Sequence, residues 1–282
     1  MLKYKWMGAI LLCCSILLGC GDRMNKRISI GMVSGWAEGE AMTLVAQDIL
    51  TNKGYHVVLQ KATPDLLLAS MNNGDTDAYL DVWLPKTHGS KVERFDKIES
   101  TGVIYSNART GLVVPSYVDI NSIEELNAHK DQFDGRIIGI ERGSGAATMT
   151  DQVLQDYQLD FKQLNSSTVA MISELQKAIR ENRWVVVTGW KPHWMFNRFD
   201  LKFLEDSQKV YGESERIETY VRNDLKTEFP EVYRLLKNME FDDNTLSDLL
   251  DKLESSKNKK ETVKQWMSEH QDLAEKWWNQ MN

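Results

Sequence analysis

Cysteine is absent from the main body of this chain. All three cysteines, Cys13, Cys14 and Cys20, lie in the N-terminal segment of the 282-residue sequence. The rest of the chain can therefore form no disulfide and no thiol-based catalytic site. Its stability must come from a hydrophobic core, and roughly 260 residues are enough to bury one in a single large domain or in two lobes.

Positive charge is also scarce. The sequence has 34 lysines and arginines against 41 acidic residues, a formal net charge of −7, and no basic cluster. This balance argues against nucleic acid and anionic lipid headgroups as partners. The sequence also lacks His or Cys pairs with metal-ligand spacing, a nucleophile elbow and a phosphate-binding loop. We therefore expect no cofactor, no bound metal and no enzymatic activity.

Residues 1–19 have the features of a signal peptide. Lys3 and Lys5 precede an apolar stretch at 7–18 that is too short for a permanent transmembrane helix. The stretch ends in Leu-Leu-Gly-Cys, which resembles the lipobox of bacterial lipoproteins. That resemblance implies cleavage before Cys20 and a lipid on Cys20, which would hold the protein at the outer face of the cell membrane, with residues 20–26 as the lipidated cysteine and spacer. The alternative is an ordinary cleaved signal with incidental cysteines.

Strand and helix patterns alternate along the remaining chain, which predicts an α/β fold. A strand at 27–33, a helix at 38–52 and a strand at 55–59 form a βαβ start, so we expect parallel pairing. Further strands are predicted at 76–82, 111–115, 136–140, 184–188 and 216–222, and helices at 65–72, 122–132, 144–157, 166–181 and from 229 to the end.

Two lobes fit this order of elements better than one. The segments near 106–111 and 212–218 lie between predicted elements and could carry the chain to a second lobe and back. We expect residues 27–110 and 215–282 to form the first lobe and residues 111–214 the second.

Tryptophan is abundant, with nine residues, although each buried indole N–H needs a hydrogen-bond partner. Trp36, Trp83 and Trp190 each follow a predicted strand. Ligands of open α/β sheets bind at the carboxyl ends of strands, so we expect these three rings in a cleft. The other tryptophans of the mature chain are expected to pack in the core: Trp184, Trp194, Trp266, Trp277 and Trp278.

A cleft walled by tryptophan suits a quaternary ammonium ligand. A trimethylammonium group has no N–H to donate, whereas aromatic faces attract both its charge and its methyl groups. Three faces at ~1–2 kcal/mol each would supply much of the ~8 kcal/mol of micromolar binding. A ligand carboxylate would need donors, from the helix opening at Ala37, Glu38 and Gly39 or from His193. The Glu38 and Glu141 carboxylates lie near the expected cleft and could act on the cation.

Two motifs resemble those of a known family. Trp-Leu-Pro-x-Thr-His at 83–88 and Gly-Trp-x-Pro-His-Trp-Met-Phe at 189–196 are similar to motifs of the glycine betaine and proline betaine binding proteins of osmoprotectant ABC importers. The resemblance covers nearly all of the mature chain. It implies a two-lobed fold of the periplasmic-binding-protein type with the ligand cleft between the lobes. It also implies a monomer that passes its ligand to an ABC permease and its ATPase.

By the same resemblance, Trp36, Trp83 and Trp190 form the ammonium cage and His193 helps to hold the carboxylate. Some members take one cage ring from the C-terminal part, so Phe241 is the alternative to Trp36 as the third wall. The sequence has Arg142 where the family commonly has proline.

Other assignments stay open. His88 either contacts the ligand or caps the loop after Pro85. Asp77 and Asp81 fit turn or strand-end positions rather than a calcium loop. Glycine betaine is the expected ligand, and choline, carnitine or another methylated solute is the alternative.

Overall fold

The computed structural model describes residues 26–280. The predicted signal peptide at 1–19, the lipidated Cys20 and nearly all of the spacer at 20–26 lie outside the described residues and stay predictions. No helix between residues 26 and 280 is long and apolar enough to cross a lipid bilayer.

The part of the chain that the structure describes begins with the predicted βαβ unit: β1 (Arg27–Met32), α1 (Ala37–Asn52) and β2 (His56–Lys61). β1 and β2 pair in parallel along their whole length. β1 is buried after its first residue, and α1 buries the apolar residues that recur at helical spacing. The predicted parallel start of the sheet is therefore confirmed.

Seven further strands complete the sheet structure: β3 (Ala78–Leu84), β4 (Ile98–Pro115), β5 (Arg136–Ile138), β6 (Lys162–Leu164), β7 (Val187–Lys191), β8 (Leu201–Phe203) and β9 (Glu215–Arg222). They form two half-sheets that share β4, in the order β2-β1-β3-β9-β4 and then β4-β7-β5-β6, while β8 also pairs with β4. β9 runs antiparallel to both β3 and β4.

Helices cover these sheets. The remaining helices are α2 (Pro64–Asn72), α3 (Gly89–Val92), a 3₁₀ helix (Ile123–Phe133), α4 (Gly145–Asp156), α5 (Thr168–Arg180), α6 (Met195–Arg198), α7 (Leu225–Glu228), α8 (Pro230–Asn238), α9 (Asp243–Glu254), α10 (Lys259–Glu269) and α11 (Gln271–Asn279). The four C-terminal helices α8 to α11 pack among themselves and against α1, β4 and β9.

The architecture is two-lobed, as predicted. We call the part built on the first half-sheet lobe 1 and the part built on the second half-sheet lobe 2. β4 passes from one to the other, because its residues up to Ala108 pair with β9 and those from Arg109 pair with β7. The predicted boundaries at 110/111 and 214/215 stay predictions, and they lie near this change of partner and the start of β9.

Three elements differ from the predicted ones in their bounds or their type. Strand β7 runs over 187–191 rather than 184–188, so Trp190 lies inside the strand instead of after it. Residues 98–108 form the first part of the 18-residue strand β4, where we predicted no strand. The helix predicted at 122–132 is a 3₁₀ helix, and its capping box is confirmed, since the Glu125 carboxylate accepts from the Ser122 backbone N–H at 2.9 Å.

Candidate functional site

A cavity that is partly open to solvent lies where the two lobes meet. Three indole rings line it, two from lobe 1 and one from lobe 2. Its lining residues are Trp36, Glu38, Trp83, Thr87, Thr110, Ile140, Ala146 and Trp190. The structure thus brings together all three tryptophans that the sequence placed in a cleft.

Each of the three rings is placed by a different local element. Trp83 lies in β3 and Trp190 in β7, both near the carboxyl end of the strand. Trp36 is the N-cap residue of α1, four residues after β1. The expectation that all three follow a strand is wrong in detail for Trp83 and Trp190. Their position at one edge of the sheets is as expected, because that edge is where carboxyl ends meet.

Buried carboxylates hold two of the three indoles. The Trp83 Nε1–H donates to Asp81 Oδ1 at 2.7 Å, and the Trp190 Nε1–H donates to Glu38 Oε2 at 2.9 Å. The second bond crosses from lobe 2 to lobe 1. The Trp36 Nε1 atom is buried and has no hydrogen-bond partner within residues 26–280. The hydrogen bonds fix the Trp83 and Trp190 rings, so these two rings need not reorder when a ligand arrives.

The two carboxyl groups have unusual protonation chemistry. Burial, followed by the nearby charge of Asp81, raises the pKa of Glu38 well above its usual value of 4.5, against hydrogen bonds from Trp190 and its own backbone N–H. Burial raises the pKa of Asp81 to about 7, against the hydrogen bond from Trp83. Each group is only 1% exposed. Low dielectric and mutual repulsion both disfavour the ionised forms.

His88 is buried next to the cavity. Its ring stacks on Trp36, with centroids 6.0 Å apart and planes 10° from parallel. The Nδ1 atom accepts from the Trp83 backbone N–H at 3.0 Å, so a neutral ring carries its proton on Nε2. Burial lowers the pKa of His88 to about 3, which keeps the ring neutral. Nε2 is buried and lacks a partner in the described part of the chain.

His193 lies behind Trp190 rather than among the lining residues. Its ring meets Trp190 edge-on at 4.9 Å and Trp194 at 5.0 Å. Nδ1 accepts from the Met195 backbone N–H at 3.1 Å, and burial lowers the pKa of His193 to about 3. Its predicted contact with a ligand carboxylate stays a prediction.

Four other candidate residues do not line the cavity. Ala37 and Gly39 belong to the first turn of α1 but do not line the cavity, whereas Glu38 lines it with its side chain. Phe241 packs on Trp277 at 5.0 Å, away from the lining residues. The Glu141 carboxylate accepts from Thr168 N and Oγ1 at the start of α5 and does not line the cavity.

The sequence reasoning missed a wall that comes from α4. Ala146 lines the cavity in the first turn of this helix, and Ser144 caps the helix by accepting from Ala147 N at 3.1 Å. Gly145 lies so close to Thr87 of lobe 1 that a Cβ there would be 2.5 Å from the Thr87 carbonyl oxygen. The Gly-Ser-Gly-Ala sequence before a helical pattern was the available signal, since it predicts a helix start with close packing.

The lobes also contact each other outside the cavity. The Lys91 Nζ of lobe 1 donates to the Gly143 carbonyl of lobe 2 at 3.1 Å. On another edge, Asn197 Nδ2 of lobe 2 donates to Ser247 Oγ of lobe 1 at 2.7 Å. The described residues therefore form a closed arrangement in which both lobes contribute to one site.

A two-lobed α/β protein with an aromatic-walled cavity at the lobe interface is, as a class, a binding protein for a small solute. No group of three or more His, Cys, Asp or Glu side chains within 26–280 is arranged to hold a metal ion. The chain belongs to the family described as the substrate binding domain of ABC-type glycine betaine transport systems, whose model matches residues 26–269.

Solved and curated relatives agree with this family. Lactococcal OpuAC, in a closed-liganded conformation complexed with glycine betaine, is similar with a TM-score of 0.85 and 32% identity over 90% of this chain and 100% of that chain. ProX from Borrelia burgdorferi has a TM-score of 0.87 and 29% identity over 90% and 97%. The glycine betaine/carnitine transport binding protein GbuC of Listeria monocytogenes serotype 1/2a (strain 10403S) is 40% identical over 162 residues, 55% of this chain and 54% of that protein. The match thus spans about half the length of GbuC.

Proposed function

We propose that this protein captures a small quaternary ammonium solute, above all glycine betaine, in the tryptophan cavity and delivers it to the permease and ATPase of an ABC importer. The observation that carries the proposal is the convergence of Trp36, Trp83 and Trp190, from both lobes, on one cavity. Since a trimethylammonium group cannot donate hydrogen bonds, packed aromatic faces are the means by which a protein recognises it.

The energies of the site support this ligand. A desolvated cation–π contact contributes about 2 kcal/mol, so three rings supply about 6 kcal/mol. Micromolar affinity needs about 8 kcal/mol. The rest can come from donors to a ligand carboxylate and from the two carboxylates near the cage.

Two donors support a carboxylate at the other end of the ligand. The neutral His88 carries a proton on its unpartnered, buried Nε2 atom. The first turn of α4, where Ala146 lines the cavity, contains no acidic residue and offers free backbone N–H groups. The first turn of α1 instead contains Glu38 and Glu40. We therefore favour His88 and α4 over Ala37–Gly39 as carboxylate donors, while His193 supports Trp190.

The alternative ligands are other methylated ammonium solutes. Choline, carnitine and other methylated solutes share the ammonium group, and the name of GbuC includes carnitine. The donor atom on His88 favours a ligand with a carboxylate, because a hydrogen bond to a charged acceptor contributes about 1.5–3 kcal/mol and one to a neutral acceptor about 0.5–1.5 kcal/mol. Choline offers only a hydroxyl there.

The cellular setting completes the proposal. A lipid on Cys20 would hold the binding protein at the outer face of the cell membrane, within reach of its permease, as a monomer. Mass spectrometry of the membrane-extracted protein should show a diacylglycerol adduct on an N-terminal Cys20. A mature chain that begins elsewhere and carries no lipid would contradict the anchor and leave ligand binding unaffected.

Ligand binding is tested by titrating the purified protein with glycine betaine, proline betaine, choline and carnitine while following tryptophan fluorescence and binding heat. We expect saturable binding of glycine betaine. Trp83→Ala and Trp190→Ala should each weaken it at least tenfold, because each removes about 2 kcal/mol of cation–π contact.

Trp278→Ala is the matched control, since Trp278 is only partly buried and lies near Lys53, away from the cavity. It should bind as the unmodified protein does. Absence of binding for all four solutes, or unchanged affinity in both cage variants, would refute the proposed function.

A further inference from the structure

Two buried carboxylates next to the cage lack a counter-charge. Neither Glu38 nor Asp81 forms an ion pair with a lysine or arginine in the part of the chain that the structure describes, although many exposed carboxylates do. Asp81 Oδ2 is also buried without a hydrogen-bond partner. Buried charges in proteins are normally paired or neutralised, so these two groups need either a proton or a cation.

Geometry ties both groups to the cage. Glu38 lines the cavity, and each carboxylate accepts from the indole N–H of a cage ring. A carboxylate bonded to an indole N–H polarises the indole, which makes the ring face more attractive to a cation. Gly39 packs directly on Asp81, since a Cβ there would lie 2.3 Å from Oδ2. The group is therefore confined in its position beneath the cage.

We propose that Glu38 and Asp81 together are the counter-charge of the ligand's ammonium group, and that the pair gives up a proton when the ammonium binds. This inference rests on the proposed function, and it explains why the site prefers a ligand with a positive charge. The ligand's fixed positive charge replaces the proton that the pair shares in the ligand-free protein. The cage recognises methyl groups, and the pair recognises charge.

The protonation chemistry agrees with this role. The raised pKa values of Glu38 and Asp81 keep a proton on the pair near neutral pH, where a nearby cation would favour its release. Tyr79 on β3 is the titratable neighbour that feels both charges, and burial followed by these charges raises its pKa well above 10, so it stays neutral. From lobe 2 the pair meets Trp190, which carries no charge.

Proton release can be measured directly by calorimetry of the purified protein. Glycine betaine is titrated at pH 6 to 8 in buffers with small and large ionisation enthalpies, phosphate and Tris. We expect the binding heat to depend on the buffer, corresponding to release of up to one proton. The affinity should rise with pH over this range, by at most tenfold per pH unit.

Two variants that lack the carboxylate charge, and a ligand that keeps the carboxylate but lacks the ammonium charge, test this role. Glu38→Gln and Asp81→Asn keep an oxygen that can accept the indole N–H but carry no charge, so each should weaken betaine binding at least tenfold and reduce proton release. The ligand 3,3-dimethylbutanoate has carbon in place of the ammonium nitrogen of betaine. In both variants the ratio of the affinity for betaine to the affinity for this ligand should be smaller than in the unmodified protein. Glu40→Gln, in the same turn of α1 but paired with Lys259 at 2.6 Å, should change neither quantity.

The outcomes separate this inference from the proposed function. An unmodified protein that binds none of the four solutes contradicts the function itself. Betaine binding with buffer-independent heat and unchanged affinity in both variants contradicts only the role of the pair. Thermal unfolding of the variants shows whether they are folded, and the buffer dependence of the unmodified protein does not rely on any variant.

Discussion

Closure of the two lobes over the ligand depends on a close contact that a single methyl group should block. In Gly145→Ala the new Cβ would lie 2.4 Å from Thr87 Cγ2 and 2.5 Å from the Thr87 carbonyl oxygen, which belongs to the other lobe. The carbonyl oxygen is backbone and cannot rotate away, so the lobes must separate by about 0.9 Å to restore an ordinary contact of 3.4 Å. Each lobe should still fold, because the clash is between lobes.

The cost follows from what that separation breaks. The bond from Trp190 Nε1 to Glu38 would lengthen from 2.9 Å beyond hydrogen-bonding distance, and a bond to a charged group contributes about 1.5–3 kcal/mol. A gap of that size also removes a quarter to a half of the contact of the Trp190 ring with a ligand, or about 0.5–1 kcal/mol. A total of about 2–4 kcal/mol corresponds to roughly 30-fold to 700-fold weaker binding.

Calorimetry with glycine betaine measures this loss, and urea unfolding checks that the variant is folded. Gly89→Ala is the matched control, because Gly89 lies two residues after Thr87 and a Cβ there meets no atom within 4 Å. The control should bind as the unmodified protein does. If Gly145→Ala binds betaine within threefold of the unmodified protein, the contact does not limit closure and the reasoning fails.

Three further predictions concern buried polar groups. His88→Ala should lower the affinity for glycine betaine relative to choline about tenfold in competition titrations, since betaine offers the Nε2 donor a charged carboxylate and choline only a neutral hydroxyl, and an unchanged ratio would rule that contact out. Asp77→Ala should lower the free energy of unfolding in urea by about 2–4 kcal/mol, because Asp77 pairs with the mostly buried Arg222 at 2.7 Å and accepts from the Ser29 backbone N–H; a loss below 1 kcal/mol would contradict this. Asp81→Asn should remove a pH dependence of ligand-free stability. The folded-state pKa of Asp81, about 7, exceeds its unfolded value near 3.9. The stabilisation that Asp81 gives by taking up a proton is therefore fully present below pH ~4. It is lost as pH rises through about 7, at up to ~1.4 kcal/mol per pH unit. Urea unfolding at pH 5, 6 and 7 should show that the difference in free energy of unfolding between the unmodified protein and Asp81→Asn changes with pH. A difference that stays constant would contradict the assignment.

Much of the fold could be predicted because its elements have local patterns. From β1 to β2 the sequence has a buried strand, a helix with regular apolar spacing and a second strand, and the structure follows this order closely. Residues 98–108 were missed for a physical reason. Their burial is irregular, with a glycine at 102, and the strand exists because β9 pairs with it across more than a hundred residues. Sequence periodicity does not report such a partner.

The site was predictable to a different extent on its two sides. Trp83 and Trp190 could be found because each lies in a distinctive motif at a sheet edge. The role of Asp81 was also accessible in principle, because residues two apart in a strand share a face and Asp81 is two residues before Trp83. Glu38 and Trp190 are 152 residues apart, and only the closed arrangement of the lobes brings them together.

The arrangement of charges also bears on which solute fits. Glu38 lines the cavity and Asp81 is bonded to the lining residue Trp83, while the donors nearby are the start of α4 and the neutral His88, which is bonded to the backbone of Trp83. A simple cation complements only the carboxylates and leaves buried donors unpaired, and an anion would face the carboxylates. A zwitterion with a methylated ammonium group and a carboxylate complements both the carboxylates and the donors, at no net charge, so closing the lobes over it buries complementary charges rather than an uncompensated one. For this reason we expect the ratio of affinities for glycine betaine and choline, more than either affinity alone, to report how this cavity selects its ligand.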